Sequence, residues 1–462
     1  MSETVSEPVH ENELLGTETL TPERFDALRQ LVVDGNRDGL LTDLQDRHES
    51  DIAEIITVLP PDLRRTLIEL IGSDLPPEVF AELDENVRDE AVEAVDTDTL
   101  VATVQQLDSD DAVFVLEDMA EDERDEVLQQ IPQTDRLVLE RALDFPEESA
   151  GRLMQSEFIA VPPFWSVGQT IDYLRETEDL PDDFLEIYIT DPTHTPVGVV
   201  HLAEMLRAQR PTAMESLLHD DFTVMNAMTD REDVARLFER YNLVSAPVVD
   251  DDQRLIGVIT ADDVFEVIAD EAGEDILRLG GVGDETVTDT VFEAARGRLS
   301  WLFLNLLTAI AASLVIGLFD GSIEQMVALA VLMPIVASMG GNAGTQTLTV
   351  TVRALATQEL LPVNARRVVY RELGIGFFNG VVFAIIAGIV AALWFDDQWL
   401  GGVLAAAMIV NLVVAALAGI LIPIGLYRAD IDPAIASSVF VTTVTDVIGF
   451  FAFLGFATIF LL

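Results

Sequence analysis

Residues 432–450 read DPAIASSVFVTTVTDVIGF and open a final apolar stretch that runs to Leu462. Asp446 is the only ionisable residue beyond Asp432. A carboxylate at membrane depth costs roughly 2.5–3.5 kcal/mol on insertion scales, so such a group normally faces a polar path or a partner. We therefore predict that Asp446 faces a cation pathway. The alternative is a carboxylate held for packing alone by the hydroxyls of its neighbours, Thr442, Thr443 and Thr445.

The charge of the chain is strongly acidic and unevenly distributed. Of 462 residues, 81 are acidic and 26 are basic, which gives a net charge of -55, and every basic residue is arginine. From residue 299 onward there are only 5 arginines and 9 acidic residues, so 21 and 72 precede them. Such a surface repels nucleic acid, which excludes a nucleic-acid partner. The absence of cysteine excludes disulfides and thiolate metal sites.

The composition is similar to that of proteins from salt-accumulating halophiles, since lysine is absent and aspartate is abundant. In molar salt the Debye length is about 3 Å, so a diffuse negative field has little effect. A site that senses the concentration of a cation would therefore need carboxylates in direct contact with that cation.

The chain begins with a polar tail, and a region of short helices follows it. Residues 1–20 are polar and acidic and predict a disordered tail. Residues 21–145 predict short helices that stack as an α-solenoid, because helices of this length need a shared core. The supporting pattern is an apolar residue followed by a capping position every 12 residues, at Leu83-Asp84, Val95-Asp96, Leu107-Asp108, Met119-Ala120 and Ile131-Pro132.

Residues 146–270 predict a duplicated β-α-β-β-α unit, whose second copy is expected to begin with a strand at 222–224. The lines TPVGVVHLAEML and SAPVVDDDQRLIGVITADDV make it resemble a tandem CBS pair. The resemblance implies that ATP or another adenine nucleotide binds between the copies, with the ribose held by Thr260 and Asp263. In the first copy His201 and Glu204 depart from this pattern. The alternative for Thr260 is that it only caps the following helix.

Residues 271–298 predict a connector, with a hinge or turn at the glycines of 280–283 and an amphipathic connecting helix beyond it at Thr286–Leu299. Five apolar segments at 299–462 predict an all-α transmembrane domain. The links between segments alternate between arginine-containing and acidic. By the positive-inside rule, the N-terminal region lies in the cytoplasm and the C-terminus outside, across a plasma membrane whose lipid surrounds the spans. The expected spans are Leu299–Phe319, Ile323–Leu355, Leu373–Phe395, Leu400–Tyr427 and Pro433–Leu462.

The second span contains MPIVASMGGNAGTQ at residues 333–346. Pro334 predicts a kink, and Asn342, Thr345 and Gln346 offer uncharged oxygen ligands at membrane depth. With Asp446, these groups suit a hydrated hard cation such as Mg²⁺, although the spacing does not separate Mg²⁺ from other divalent ions. The alternative is close helix packing through the Gly340–Gly344 pair.

The segments GGNAGTQ, VRALAT (residues 352–357), DPAIAS and TTVTDVIGF, together with the domain order, resemble the MgtE family of magnesium channels and transporters. The resemblance implies a homodimer that admits Mg²⁺ down its gradient and closes when cytosolic Mg²⁺ binds between the helical repeats, the CBS pair and a plug helix at about 284–299. It implies that Asp446 is the pore carboxylate and that Asn342 lines the pore. The implied sensing carboxylates are Asp110, Glu232, Asp263, Glu271, Glu274, Asp275 and, at the pore mouth, Asp432. Phe114 stands where a further sensing aspartate is expected, so either Asp111 or Asp118 substitutes for it or that site is lost.

Three alternative functions remain open on the sequence. One is a secondary transporter that couples Mg²⁺ to Na⁺ or H⁺. Another is a nucleotide-regulated transporter of Mn²⁺ or Co²⁺. A membrane-tethered enzyme is disfavoured, because no nucleophile–base pairing stands out and all five histidines precede the spans, so we expect no enzymatic activity.

Overall fold

The computed structural model describes residues 21–462, apart from 46, 118, 178–179, 182–183, 284, 287, 430 and 436–437. The tail expected at residues 1–20 lies outside the described residues. The chain divides into two compact units, Met1–Ile268 and Ala269–Leu462.

The first unit begins with a succession of short helices. Thr21 caps the first of them by accepting a hydrogen bond from the Arg24 backbone (3.3 Å), and Asp96 caps the seventh through the Thr99 backbone (2.8 Å). The helices are α1 Pro22–Val33, α2 Arg37–Leu44, α3 Glu49–Val58, α4 Pro61–Ile71, α5 Glu78–Ala81, α6 Glu85–Ala94, α7 Thr97–Val104, α8 Ser109–Glu117, α9 Glu121–Gln130 and α10 Gln133–Leu143.

These helices share one apolar core, which confirms the predicted helical array. Residues from five different helices are at most 1% exposed: Leu28, Ile56, Leu67, Val87 and Leu116. None of the ten helices exceeds 12 residues, so each depends on its neighbours for burial.

After α11 (Ala150–Leu153), the chain forms the predicted tandem α/β pair. In each copy a short first strand pairs in parallel with the second, and the second pairs antiparallel with the third. The first copy contains β1 Ala160–Val161, α12 Val167–Glu176, β2 Glu186–Thr190, β3 Pro196–His201 and α13 Leu202–Arg207. The second contains β4 Met225–Asn226, α14 Arg231–Tyr241, β5 Ser245–Val249, β6 Leu255–Thr260 and α15 Ala261–Gly280.

One strand lies later in the chain than predicted. Residues 222–224 were expected to form the first strand of the second copy, but β4 begins at Met225. Phe222 instead packs against a separate apolar cluster that includes Tyr188 and Val258. Its side chain is partly buried there, and residues 222–224 form no strand.

The connector is not one continuous helix, and its break falls at the glycines of 280–283, where the sequence predicts a hinge or turn. Helix α15 ends at Gly280, and Gly281 has a positive φ of 69°, a left-handed conformation that ends the helix. The next helix, α16, begins at Val291 and continues without interruption to Gly317. The amphipathic segment expected at 284–299 is thus, from Val291 onward, the first part of the first long apolar helix.

Five helices of the second unit are long and apolar enough to cross a membrane, as predicted. Their membrane-capable stretches are Ala294–Gly317, Ala328–Ala356, Ala365–Phe395, Gln398–Tyr427 and Ser438–Phe460. We label the last four α18 to α21, and the short helix Asp320–Gln325 before them α17. The third begins eight residues before its expected start at Leu373, and the last begins five residues after Pro433.

Helix α20 forms the centre of the second unit, where it packs against α18, α19 and α21. Small residues allow these approaches. A Cβ added to Gly401 would lie 2.5 Å from the Gly388 carbonyl oxygen on α19, and one on Gly419 would lie 2.6 Å from the Gly344 carbonyl oxygen on α18. Such backbone contact is a common way of packing membrane helices.

Candidate functional site

Asp446 lies half-buried on α21, and the neighbouring threonines do not hold its carboxylate. The Thr442 and Thr443 hydroxyls donate to the Val439 carbonyl oxygen (3.1 and 2.6 Å), and the Thr445 hydroxyl donates to the Thr442 carbonyl oxygen (2.9 Å). Within the part of the chain that the structure describes, the Asp446 carboxylate accepts no hydrogen bond and has no ion-pair partner. The packing alternative therefore lacks the contacts that it requires.

The GGNAGTQ segment of α18 packs on the same part of α21. A Cβ on Gly341 would lie 3.2 Å from Thr442 Cγ2, and one on Gly344 would lie 2.4 Å from Val441 Cγ1. Asn342 is exposed, and its Nδ2 donates to the Ser338 carbonyl oxygen (2.8 Å), which leaves Oδ1 available as a ligand. The glycines thus bring the two predicted pathway segments together, and the Gly340–Gly344 packing role holds as well.

Asn411 was not singled out from the sequence, although it is the only amide, hydroxyl or charged side chain between Trp399 and Tyr427 of α20. It is 0% exposed, and its Nδ2 donates to the Val336 carbonyl oxygen (2.8 Å). Its Oδ1 is buried without a hydrogen-bond partner among the described residues. The amide fills the space left by two glycines, since added Cβ atoms would lie 2.2 Å (Gly340) and 2.8 Å (Gly449) from Nδ2.

A first group of acids, which we call the Asp110 cluster, joins the start of α8 to the start of α15 within the first unit. It consists of Asp110, Asp111 and Asp263, with Asp108 nearby. Burial, and then the Asp263 carboxylate, raise the pKa of Asp111 from its ordinary 3.8 to about 7. The same two causes raise the pKa of Asp110 well above its usual range.

Asp263 is also the acid of the expected ribose-binding pair. Burial raises its pKa to about 6, against a lowering effect of the Thr260 hydroxyl, which donates to Asp263 Oδ2 at 2.6 Å. The two residues of the expected ribose-binding pair, Thr260 and Asp263, are thus in direct contact. In the first copy the two departing residues pair with other side chains and not with each other, since His201 lies 3.0 Å from Glu186 and Glu204 lies 2.7 Å from His219.

A second group, which we call the Asp432 cluster, lies within the second unit. It contains Glu271, Glu274 and Asp275 of α15 and Asp432, which precedes α21. Burial, and then the Asp432 and Glu271 carboxylates, raise the pKa of Asp275. Arg278, which the sequence did not point to, forms ion pairs with both Glu274 and Asp432.

Glu232, another expected sensing carboxylate, lies on α14, where it forms an ion pair with Arg236 (2.7 Å). Phe114, the departure from the expected sensing aspartate, lies beneath the Arg88 guanidinium, 3.7 Å from ring centroid to Cζ. Across the residues that the structure describes, no three histidine or carboxylate side chains converge tightly enough to hold a metal ion by themselves. Any cation at these clusters would therefore be bound largely through water or after the side chains move closer.

Comparison with known proteins agrees with this arrangement along most of the chain. Family models match an MgtE intracellular N domain at residues 47–148, a CBS domain at 215–270 and an MgtE divalent cation transporter at 333–456. The magnesium transporter MgtE of Bacillus subtilis is 32% identical over 69% of this chain and 71% of its own length. The chain belongs to the MgtE family.

A second magnesium transporter and a solved structure are also similar to this member of the MgtE family. The magnesium transporter MgtE of Thermus thermophilus is 32% identical over 71% of this chain and 74% of its own length. A solved structure of the cytosolic domain of the Mg²⁺ channel MgtE in complex with ATP has 24% identity and a TM-score of 0.49, and covers 53% of this chain and 99% of that one. Family membership confirms the predicted order of a helical-repeat domain, a CBS pair and a membrane domain of five helices.

Proposed function

We propose that the chain is a channel through which Mg²⁺ enters the cell across the plasma membrane. The observation that carries the proposal is the Asp446 carboxylate, which has no partner among the described residues and lies where α21 packs on the GGNAGTQ segment. Mg²⁺ dehydrates reluctantly and is usually bound by one or two carboxylates with several waters retained. The relatives named magnesium transporter MgtE support this choice of ion.

Asn342 supports the pathway from α18, because its Oδ1 is not used in a hydrogen bond within the described part of the chain. In the proposed homodimer, Asp446 and Asn342 of the two subunits line one path. The positive-inside pattern of the links supports an orientation with the N-terminal domains in the cytoplasm and the C-terminus outside.

The driving force needs no second ion. A divalent cation moving inward across 100 mV gains about 4.6 kcal/mol, twice the roughly 2.3 kcal/mol for one elementary charge. The alternative is a secondary transporter that exchanges or co-transports Na⁺ or H⁺.

Uptake into liposomes separates the channel from the coupled transporter. With Na⁺ and pH equal on both sides and a potassium-diffusion potential as the only driving force, we expect Mg²⁺ uptake that reverses direction with the potential. Uptake that requires a Na⁺ or H⁺ gradient would establish the coupled alternative. Replacing Mg²⁺ by Mn²⁺ or Co²⁺ in the same assay tests the selectivity.

We propose that cytosolic Mg²⁺ closes the channel by binding at the Asp110 cluster and the Asp432 cluster. In the Asp432 cluster, close carboxylates repel each other when Mg²⁺ is absent, and a bridging ion would draw α15 towards the segment before α21. High salt screens the repulsion between distant charges, so only carboxylates in contact with each other still repel strongly enough to respond to Mg²⁺. Neutralising Glu271, Glu274 and Asp275 together should weaken closure by luminal Mg²⁺ several-fold, and unchanged closure would remove the sensor assignment.

Nucleotide binding at the CBS pair is a second proposal, supported by the contact between Thr260 and Asp263. Because Asp263 belongs to both the ribose-binding pair and the Asp110 cluster, ATP and Mg²⁺ would influence each other there. Titration of the full-length protein with ATP at fixed Mg²⁺, compared with the Thr260→Val variant, tests the site. Equal affinity of both proteins would leave Thr260 as a structural residue only.

A further inference from the structure

A cavity of about 210 Å³ lies among α18, α19 and α20, and no residue of α21 lines it. Its polar lining consists of Gln346 and Thr347 from α18 and Arg371, Glu372 and Asn379 from α19. It is therefore separate from the place where α18 meets Asp446. Gln346, expected at the proposed pathway, lines this second space.

Glu372 is the reason to assign a ligand to the cavity. Its residue exposure is only 6%, so its carboxylate is largely removed from solvent. The only described cation near it is Arg371, whose Nη1 lies 4.0 Å from Oε1, beyond hydrogen-bond distance, and whose side chain is 68% exposed. No described residue donates a hydrogen bond to the carboxylate. A buried charge normally has both a partner and hydrogen bonds, so the remaining lone pairs, which face the cavity, require an occupant.

The donors around the cavity fit a hard cation of low charge. Glu372 offers a carboxylate, Gln346 and Asn379 offer amide oxygens, and Thr347 offers a hydroxyl, whereas no sulfur or imidazole lines the cavity. Only one carboxylate is present, and solvent screens the charge of the exposed Arg371. A doubly charged ion would leave excess positive charge among apolar helices, while a singly charged ion balances the carboxylate. The volume holds such an ion with several waters.

We propose that this cavity is a binding site for one monovalent alkali cation, held by Glu372 with Gln346 and Asn379. The site goes beyond the proposed Mg²⁺ path and stands or fails independently of Asp446, because it lies among different helices.

Radiolabelled Na⁺ tests the proposal directly on the purified full-length protein in detergent, with choline chloride maintaining the ionic strength. We expect saturable binding near one ion per chain, displaced by unlabelled Na⁺ and not by an equal concentration of Mg²⁺. The same displacement with K⁺ determines which alkali cation the site prefers. Glu372→Gln should weaken binding at least tenfold and Asn379→Ala several-fold.

Glu324→Gln serves as the matched control, since it removes an exposed carboxylate of α17 that does not line the cavity and should leave Na⁺ binding unchanged. If Glu372→Gln does not fold, Asn379→Leu replaces an amide ligand by an apolar side chain while leaving the carboxylate in place, and should weaken binding at least as much as Asn379→Ala. Binding equal to wild type in folded Glu372→Gln, an equal loss of binding in Glu324→Gln, or a protonated Glu372 band in infrared spectra without Na⁺ binding would each overturn the proposal.

Discussion

At the scale of single residues, close packing around Asn411 determines how α18 and α21 meet beside Asp446. The Asn411 amide is enclosed by Gly340 on one side and Gly449 on the other, so it cannot move away from an added methyl group on either helix. The amide thereby links the helix of Asn342 to the helix of Asp446 without being a ligand of the proposed path.

Gly340→Ala should therefore destabilise the membrane domain, since the new Cβ would lie 2.2 Å from Asn411 Nδ2. Overpacking of this kind costs roughly 1–3 kcal/mol. Thermal unfolding in detergent measures the effect. Gly402→Ala on α20 is the matched control, because nothing lies within 4 Å of its added Cβ, and it should be neutral or slightly stabilising. Equal melting temperatures for the two variants would contradict the packing described here.

At the scale of elements, the contact between α8 and α15 should depend on pH when no divalent ion is present. The pKa of Asp111 is about 7 in the folded protein and ordinarily 3.8. Between these values the folded protein keeps a proton that the unfolded chain has released, so stability falls as pH rises through this window. The loss is on the order of 4 kcal/mol at most, because the helices can separate to relieve the repulsion.

We accordingly expect the melting temperature in EDTA to fall by roughly 5 °C or more between pH 5 and pH 8. Asp111→Asn should reduce this dependence, with Asp110 and Asp263 supplying the remainder, while Asp122→Asn, at an exposed position on α9, should retain it in full. A pH dependence identical in all three proteins would show that the Asp110 cluster is not its source.

Arg278 provides a second prediction at this scale, because it occupies the position between Glu274 and Asp432 that a bridging cation would take. Arg278→Gln removes this internal positive charge, so the Asp432 cluster repels itself more strongly without Mg²⁺. We expect flux at zero luminal Mg²⁺ to rise several-fold while closure by added Mg²⁺ persists. Arg366→Gln, an exposed arginine on α19, is the control. Lower flux in Arg278→Gln would mean that the arginine holds the path open.

The helix bounds were largely predictable because they rest on local signals. The 12-residue repeat, the duplicated strands and the apolar segments each follow from periodicity and capping. The turn in the connector was also predictable, because the glycines of 280–283 mark it and the left-handed Gly281 ends α15 there. Strand β4 was misplaced because the burial of Phe222 depends on residues distant in sequence.

The candidate sites were predictable only as residue types, since their partners come from distant parts of the chain. Arg278 and Asp432 are 154 positions apart, and nothing local indicates that they pair. Phe114 stands where an acid is expected, and the sequence gives no sign that Arg88, on another helix, packs over its ring. Glu372 could have been noticed as an acid near an apolar segment, but its cavity depends on three helices.

At the scale of the whole molecule, an acidic cytosolic region precedes a membrane domain with very few charges. In high salt, only contacts between close carboxylates can transmit a change in Mg²⁺ concentration. Each of the two acidic clusters lies within one compact unit, and helix α15 contributes residues to both. A cation bound at either cluster would therefore act on the same helix.

Mg²⁺ uptake by liposomes containing wild type or Asp446→Asn, with the membrane potential as the only driving force, tests the central claim most directly. Asn preserves the size of the side chain and removes its charge, so folding should be retained, as size-exclusion chromatography can verify. We predict that uptake falls at least tenfold in Asp446→Asn and is partly retained in Asp446→Glu. Mg²⁺ uptake by folded Asp446→Asn at the wild-type rate would contradict the assignment of this carboxylate to the ion path.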